Sequence, residues 1–219
     1  MYKLCVFDLD GTLVNTIADI AFAANYALEK LGYPTCEEDS YRYKIGNGMR
    51  MICKRAMPEE AGNDDAKLDE MVAIYNEYYK AHCCDRSKCY PGIIELVAKL
   101  RAAGVTCAII SNKPHPQTLI VLETLFKEDD FAYVEGQSDR FPRKPDTTVI
   151  EDCMAKLGFT KEETVYVGDS DVDMIFANNA GVAGIGASWG FRGREELEGS
   201  KATVIAETAD DIYNFVMGK

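Results

Sequence analysis

The feature that most constrains the fold of this chain is a regular alternation of short apolar runs with segments of helical periodicity. Six runs rich in β-branched residues have the length of buried strands, and they cover Leu4 to Asp8, Val105 to Ser111, Phe131 to Glu135, Thr164 to Gly168, Val182 to Gly186 and Thr203 to Ile205. Five segments of helical periodicity lie at Gly92 to Ala103, Pro116 to Leu125, Thr147 to Leu157, Asp171 to Ala180 and Ala209 to Met217. Because one helix fits each crossover between these runs, the pattern predicts an α/β fold with a parallel sheet.

The long gap between the first and second runs breaks this alternation. It contains three further segments of helical periodicity, at Ile17 to Leu31, Met49 to Ala56 and Asp65 to Ala81. No strand signal separates these segments, and each has an apolar stripe or the length of a short helix. We therefore expect two domains, an α/β core formed by residues 1–14 and 81–219 and an all-helical insertion at residues 15–80.

Charge and composition exclude several classes of partner. The 219 residues carry a formal net charge of −12, whereas nucleic acids and anionic membranes bind clustered Lys and Arg. No apolar run approaches the ~18 residues of a membrane span, and the opening MYKLCVFDLD does not have the pattern of a secretion signal. We expect a cytoplasmic monomer or homodimer that binds neither nucleic acid nor membrane. A small anionic substrate stays possible, because a metal or local lysines can reverse the field in one pocket.

The eight cysteines of the chain are expected to be reduced thiols, because disulfides belong to secreted proteins. The cluster HCCDRSKC, from His82 to Cys89, is the one place where potential metal ligands gather. Its spacing matches none of the usual paired zinc patterns. Ordinary thiols are the preferred interpretation, and a structural zinc site is the alternative.

The stretch FDLDGTLVNT places two carboxylates, Asp8 and Asp10, one residue apart at the end of the first predicted strand. Like charges at this separation are unfavourable unless a cation or a shared proton relieves them. The following Gly11 permits a tight turn whose backbone amides can face an anion. This stretch therefore indicates a site for a cation and an anionic ligand.

Polar residues also follow three later strands of the predicted sheet. They are Ser111, Asn112 and Lys113, then Lys144 of RKPD, then Asp169, Asp171 and Asp173 of GDSDVD. Since ligands bind beyond the carboxyl ends of parallel strands, we expect these groups to converge with the first pair of carboxylates. Each group alone has a simpler explanation, such as a helix N-cap or a turn. Their combination at four strand ends favours a functional site.

The donor types at this edge of the sheet indicate phosphoryl chemistry. Carboxylates without His or Cys form an all-oxygen set, which favours Mg²⁺ over Zn²⁺. Ser111, Lys144 and backbone amides after Asp8 can donate to phosphoryl oxygens. One aspartate can then attack phosphorus while a second carboxylate moves the proton.

These motifs resemble those of the haloacid dehalogenase superfamily of phosphotransferases. The match consists of DLDGT, the pair Ser111 and Asn112, Lys144, and GDSDVD, and it extends over essentially the whole chain. GDSDVDMIFANNAG and the later WGF, Trp189 to Phe191, are similar to the phosphoglycolate phosphatase-like branch. The resemblance implies an α/β fold with a Rossmann-like parallel sheet core and an inserted all-helical cap domain of type C1.

The resemblance also implies roles for the four aspartates. Asp8 would attack phosphorus and bind Mg²⁺. Asp10 would be the general acid and base, and its backbone carbonyl would bind the metal. Asp169 would bind Mg²⁺ through its side chain, and Asp173 would orient or complete the metal shell. The cofactor implied is Mg²⁺.

The remaining implied residues bind the substrate. The phosphoryl group would be held by Ser111, Asn112 and Lys144. The cap would close over the substrate, and its loop IGNGMR would select the leaving group. The candidates for specificity in this loop are Gly46, Asn47 and Arg50.

The resulting prediction is a Mg²⁺-dependent phosphatase that acts on a small phosphorylated metabolite similar to phosphoglycolate. A sugar-phosphate phosphatase, a pyrophosphatase and a β-phosphoglucomutase-like phosphomutase use the same core and stay open as alternatives. Such mutases use a cap histidine, and the insertion has none before His82. A dehalogenase would lack the acid at Asp10. A non-enzymatic sensor of a phosphorylated metabolite is the distant alternative.

Overall fold

The computed structural model describes all 219 residues, and these divide into two compact units. One unit comprises Met1–Asn15 and Cys89–Lys219, and the other comprises Thr16–Lys88. The sequence predicts the divisions after residues 14 and 80, so the second division lies eight residues further along the chain in the structure. None of the helices combines the length and apolar character that crossing a membrane requires.

Six parallel strands form the main sheet of the first unit, and the predicted α/β class is confirmed. The strands of the chain are β1 (Leu4–Phe7), β2 (Val14–Asn15), β3 (Lys88–Cys89), β4 (Thr106–Pro114), β5 (Tyr133–Gln137), β6 (Thr164–Gly168), β7 (Ala183–Ala187) and β8 (Val204–Ala206). The order in the main sheet is β5-β4-β1-β6-β7-β8, with parallel pairing throughout. β2 and β3 form a separate two-stranded sheet.

Ten α-helices accompany these strands. They are α1 (Ile17–Lys30), α2 (Met49–Ala56), α3 (Glu59–Gly62), α4 (Asp65–His82), α5 (Ile93–Ala102), α6 (His115–Leu125), α7 (Thr148–Leu157), α8 (Asp171–Ala180), α9 (Arg194–Gly199) and α10 (Ala209–Met217). Short 3₁₀ helices cover Glu38–Tyr43 and Lys161–Glu163. The sequence analysis predicts neither α3 nor α9, because segments of four and six residues carry too few turns for a helical period to be visible.

The core of the first unit explains why the sequence of β1 is a continuous apolar run. All four residues of β1 are buried, as expected for a central strand covered on both faces. Leu4 and Val6 pack in one cluster with Tyr166 and Phe176, whose rings meet edge to face at 4.9 Å. Since β1 lies between β4 and β6, the residues that follow these three strands emerge side by side.

The end of β4 departs from the regular strand that the sequence predicts. The strand continues beyond Ser111 to Pro114, and its pairing with β5 shifts register between Ile110 and Pro114. A bulge of this kind bends a strand and redirects its side chains. Ser111, Asn112 and Lys113 therefore lie on an irregular segment whose side chains do not simply alternate between faces.

The second unit is built from helices α1 to α4. A buried carboxylate, Asp19 in the first turn of α1, accepts hydrogen bonds from the Arg86 and Ser87 amides and from the Ser87 hydroxyl. These bonds attach the segment after α4 to α1. They give a physical reason why this unit extends to Lys88, whereas the sequence places the end of the insertion at residue 80.

Candidate active site

Three buried carboxylates form the centre of the site in the first unit. Asp8 follows β1, and Asp169 and Asp173 lie after β6 and in the first turn of α8. Each offers one oxygen, and these oxygens all lie within 4.8 Å of one another. The structure thus brings together three of the predicted metal ligands, although Asp8 is more than 160 residues from the other two in the sequence.

Asp169 is held in place by the two turns on either side of it. Its Oδ1 accepts a hydrogen bond from Thr12 Oγ1 at 3.1 Å, and its Oδ2 accepts one from the Phe191 amide at 2.7 Å. A Cβ on Gly11 or on Gly190 would overlap the Asp169 side chain. The two glycines therefore allow the backbone to pack directly against this carboxylate.

Asp173 caps its own helix and also reaches the centre of the site. Its Oδ2 accepts hydrogen bonds from the Ser170 amide and hydroxyl and from the Asp169 amide, which satisfies the start of α8. Its Oδ1 pairs with Lys144 Nζ at 2.7 Å. One oxygen of Asp173 thus caps the helix, while the other pairs with Lys144 at the centre of the site.

Electrostatics at this centre are unfavourable for the carboxylates as they stand. Burial raises the pKa of Asp8 to about 6, with Asp173 and Asp10 adding to the increase and Lys144 opposing it. Burial, Asp173 and Asp8 likewise raise the pKa of Asp169 well above its ordinary value. A divalent cation would favour the ionised forms and so relieve both effects.

The donor set fits Mg²⁺. All the side-chain ligands are carboxylate oxygens, which suit a hard cation, and Asp8 Oδ1 is buried without a well-aligned hydrogen bond, although Lys144 Nζ lies 3.1 Å away. An oxygen in that position is free to bind a metal. Asp8, Asp169 and Asp173 are therefore the residues that would hold the ion.

Lys144 is the cation at the centre of the site. Burial alone would lower its pKa, but Asp173 and Asp8 raise the pKa of this ammonium above the ordinary lysine value. The Asn112 side chain holds the Lys144 backbone, because Asn112 Oδ1 accepts from the Lys144 amide at 3.0 Å and Nδ2 donates to its carbonyl at 3.3 Å. In this structure the predicted phosphate ligand Asn112 thus orients Lys144.

A second lysine, Lys113, pairs with the fourth aspartate. Its Nζ lies 2.9 Å from Asp10 Oδ1 and 3.3 Å from Oδ2, and its side chain is 1% exposed. The sequence predicts Lys113 at this end of the strand but indicates no role for it. Its position directly after Ser111 and Asn112 is the available signal, whereas the irregular end of β4 on which it lies is not visible in the sequence.

The WGF segment also belongs to the site. Trp189 Nε1 donates to the Thr12 carbonyl at 3.0 Å, while the Phe191 amide binds Asp169. These bonds connect the turn after β7 with the turn that follows Asp10. The sequence motif is therefore explained by its contacts with DLDGT and with Asp169.

The predicted specificity residues lie in the helical unit, where Gly46 and Asn47 precede α2 and Arg50 is in its first turn. Gly46, Asn47 and Gly48 all have positive φ, at 110°, 58° and 84°, a conformation that glycine and asparagine adopt most readily. Arg55 Nη1 donates to the carbonyl of Gly46 at 3.3 Å, which braces the loop. Arg50 pairs with two exposed carboxylates of α4, Asp65 and Asp69.

Comparisons with known proteins identify relatives of this chain. The sequence profile of the haloacid dehalogenase-like hydrolases matches residues 5–187. A phosphoglycolate phosphatase of Vibrio parahaemolyticus is 31% identical over 98% of this chain and 96% of its own length, and one of Pseudomonas syringae pv. syringae is 33% identical over 99% and 79%. The crystal structure of a predicted phosphoglycolate phosphatase of Haemophilus somnus superposes with a TM-score of 0.90 at 28% identity, covering 98% of this chain and 97% of that one.

The family profile covers most of the chain, including DLDGT, Lys144 and GDSDVD, and the relatives match it over nearly its full length. The predicted resemblance to the phosphoglycolate phosphatase-like branch and the predicted enzyme class, a phosphoric monoester hydrolase, are confirmed. The chain belongs to the haloacid dehalogenase-like hydrolases.

Proposed function

We propose that this hydrolase is a Mg²⁺-dependent phosphatase that cleaves a small phosphomonoester through an aspartyl-phosphate on Asp8. The observation that carries the proposal is the cluster of Asp8, Asp169 and Asp173 around one point, with Lys144 beside the first carboxylate. A buried group of three acids and one ammonium is costly to the fold. A catalytic role for these charges would explain why the fold contains such a group.

The proposed reaction has two steps. In the first, an Asp8 oxygen attacks phosphorus, the bond from phosphorus to the leaving oxygen breaks, and Asp10 gives that oxygen its proton. In the second, the ionised Asp10 takes a proton from a water molecule as the water attacks phosphorus. The bond from phosphorus to Asp8 then breaks, and inorganic phosphate leaves.

The other residues of the site hold these groups. Bound Mg²⁺ would neutralise charge on the phosphoryl oxygens, and the Asp10 carbonyl stays a predicted further ligand. Lys144 stabilises the ionised Asp8, while Lys113 fixes the Asp10 side chain. Ser111 is buried at the end of β4 and keeps its proposed role as a donor to the phosphoryl group, together with the backbone amides that follow Asp8.

The substrate that we propose is phosphoglycolate or a phosphomonoester of similar size. The names of the relatives from Vibrio and Pseudomonas support this choice. Gly46, Asn47 and Arg50 are the proposed specificity residues. Arg50 can exchange an exposed aspartate for an anionic substrate group at little cost, because exposed ion pairs contribute little to stability.

A phosphate-release screen over several dozen metabolites, with Mg²⁺ and with EDTA, tests the proposal. We expect phosphoglycolate among the substrates with the highest kcat/KM and no turnover in EDTA. The variant Asp8→Asn should lose at least about 1,000-fold in kcat, because it removes the nucleophile.

The matched control is Asp171→Asn, in the same motif as Asp169 and Asp173. The Asp171 carboxylate accepts from the Val172 amide and is outside the metal cluster, so this variant should keep wild-type kcat within about twofold. Turnover that persists in Asp8→Asn would contradict the aspartyl-phosphate. If kcat/KM is highest for a sugar phosphate or for pyrophosphate, that compound replaces phosphoglycolate as the proposed substrate, and the proposed mechanism is unchanged.

A further inference from the structure

Tyr166 is a buried polar residue at the site that the proposed reaction does not use. It lies on the central strand β6, two residues before Gly168, and its side chain is fully buried. Its ring packs in the core cluster against Phe176, so packing alone could be satisfied by phenylalanine. The hydroxyl therefore needs a separate explanation.

The hydroxyl of Tyr166 lies between the two charged partners of the site. It accepts a hydrogen bond from Lys144 Nζ at 2.8 Å, and its single hydrogen can reach the Ile110 carbonyl at 3.0 Å or Asp173 Oδ1 at 3.2 Å. Tyr166 thus connects β4, β6 and α8 at one atom. A phenol can accept and donate at the same time, so both kinds of contact fit this one hydroxyl.

The ammonium of Lys144 lies close to three groups. Its Nζ is 2.7 Å from Asp173 Oδ1, 2.8 Å from Tyr166 Oη and 3.1 Å from Asp8 Oδ1. Asp173 and Tyr166 accept its hydrogen bonds, whereas Asp8 Oδ1 has no well-aligned hydrogen bond. With Asn112 holding the backbone of the same lysine, the residue is fixed at both ends.

We infer that Tyr166 is a positioning residue, which holds the Lys144 ammonium against the nucleophile Asp8. This inference rests on the proposed function. Without the hydroxyl, the strong pair with Asp173 is free to draw the ammonium away from Asp8. The other contacts of the site stay in place, but the nucleophile loses its alignment.

Kinetics of Tyr166→Phe test the inference. We expect kcat to fall about tenfold, a typical effect of removing a group that orients a ligand or a charged partner, while KM stays within about twofold because no substrate contact is lost. Tyr133→Phe is the matched control. The Tyr133 hydroxyl also donates to a carboxylate, Asp152 at 2.8 Å, in the same unit and away from the site. Tyr133→Phe should therefore lose as much in Tm as Tyr166→Phe but keep the wild-type kcat.

A double-variant cycle separates action through Lys144 from general damage. In a Lys144→Met background, removal of the Tyr166 hydroxyl should change kcat by less than about twofold, because the group through which it acts is absent. A full tenfold loss in that background, or an unchanged kcat in Tyr166→Phe alone, would overturn the inference.

A second measurement uses the side-chain ammonium signals of ¹⁵N-lysine-labelled protein and does not depend on turnover. The Lys144 signal, assigned by its loss in Lys144→Met, should be protected from exchange in the wild type, lost or shifted in Tyr166→Phe, and unchanged in Tyr133→Phe. Exchange as fast as in exposed lysines would contradict the inference even if the variant does not fold. Wild-type protein that releases no phosphate would contradict the proposed function, and these signals would still test Tyr166.

Discussion

The carboxylate site of the first unit and the Ile45–Arg50 loop of the helical unit differ in what holds their polar groups. In the site, each charge is buried and has a charged neighbour, as in the pairs of Lys144 with Asp8 and Asp173. In the loop, the conformation is set by positive-φ residues, and the charged side chain of Arg50 is 44% exposed. Substitutions in the site should therefore affect the chemical step, whereas substitutions in the loop should affect substrate choice with little effect on stability.

Apart from the loss of the nucleophile in Asp8→Asn, the largest effect is expected for Asp169→Asn. This change removes a charge from the metal cluster, and kcat should fall at least about 100-fold with a higher Mg²⁺ requirement. The amide can still bond its neighbours, since the Thr12 hydroxyl can accept as well as donate. Without Mg²⁺, the variant should therefore melt at a higher temperature than the wild type, because one buried like charge is gone.

With saturating Mg²⁺ the order of stability should reverse, because only the wild type gains the full binding free energy of the ion. Thermal melts of both proteins with Mg²⁺ and with EDTA measure this reversal. A variant that is less stable than the wild type in both conditions would show that Asp169 serves the fold and not a metal.

Gly190→Ala is expected to have the next largest effect. A Cβ at this position would overlap the Asp169 side chain and lie 2.5 Å from the Gly11 carbonyl oxygen, and neither group can move without disturbing the site. Overpacking of this kind costs ~1–3 kcal/mol, and the displaced carboxylate should also lower kcat. Gly193→Ala is the control, since its Cβ would meet no atom within 4 Å and its φ is −88°. Equal melting temperatures for the two variants would contradict the close packing.

The centre of the sheet could be predicted from the sequence because β1 and β6 are buried on both faces. β6 and α8 have the predicted bounds, and β1 ends one residue before the predicted end at Asp8. The carboxylates follow these strands directly, so parallel topology alone brings Asp8 and Asp169 together. For these residues, the apolar pattern that predicts each strand also predicts where the following carboxylate lies in the fold.

The remaining features depend on contacts between distant segments, which a local pattern does not contain. The register shift in β4 directs Lys113 to Asp10, and the hydrogen bond from Trp189 to Thr12 connects residues 177 positions apart. The helical unit extends past the predicted boundary for the same reason, because Asp19 binds the Ser87 amide. Pairs of this kind become visible only in the fold.

Lys113→Met should reduce activity less than the changes at the metal cluster. It leaves the Asp10 side chain without the ammonium that fixes it, and we expect kcat to fall about 10- to 100-fold with KM nearly unchanged. Lys99→Met removes an exposed pair with Asp210 and serves as the control, with kcat unchanged. If Lys113→Met raises KM and leaves kcat unchanged, Lys113 binds the substrate and does not position Asp10.

Arg50→Gln should have the smallest effect and bears directly on the loop. Its pairs with Asp65 and Asp69 are exposed, so the free energy of unfolding should stay close to that of the wild type. If the loop selects the leaving group, KM for phosphoglycolate should rise about threefold. The kcat/KM for p-nitrophenyl phosphate, whose leaving group carries no carboxylate, should stay constant. Arg42→Gln, which loses an exposed pair with Asp39 in the same unit, is the control. An unchanged KM in Arg50→Gln would show that Arg50 only forms surface ion pairs. Substrate selection would then depend on the backbone of Gly46 to Gly48, whose positive φ values are the more constrained feature of the loop.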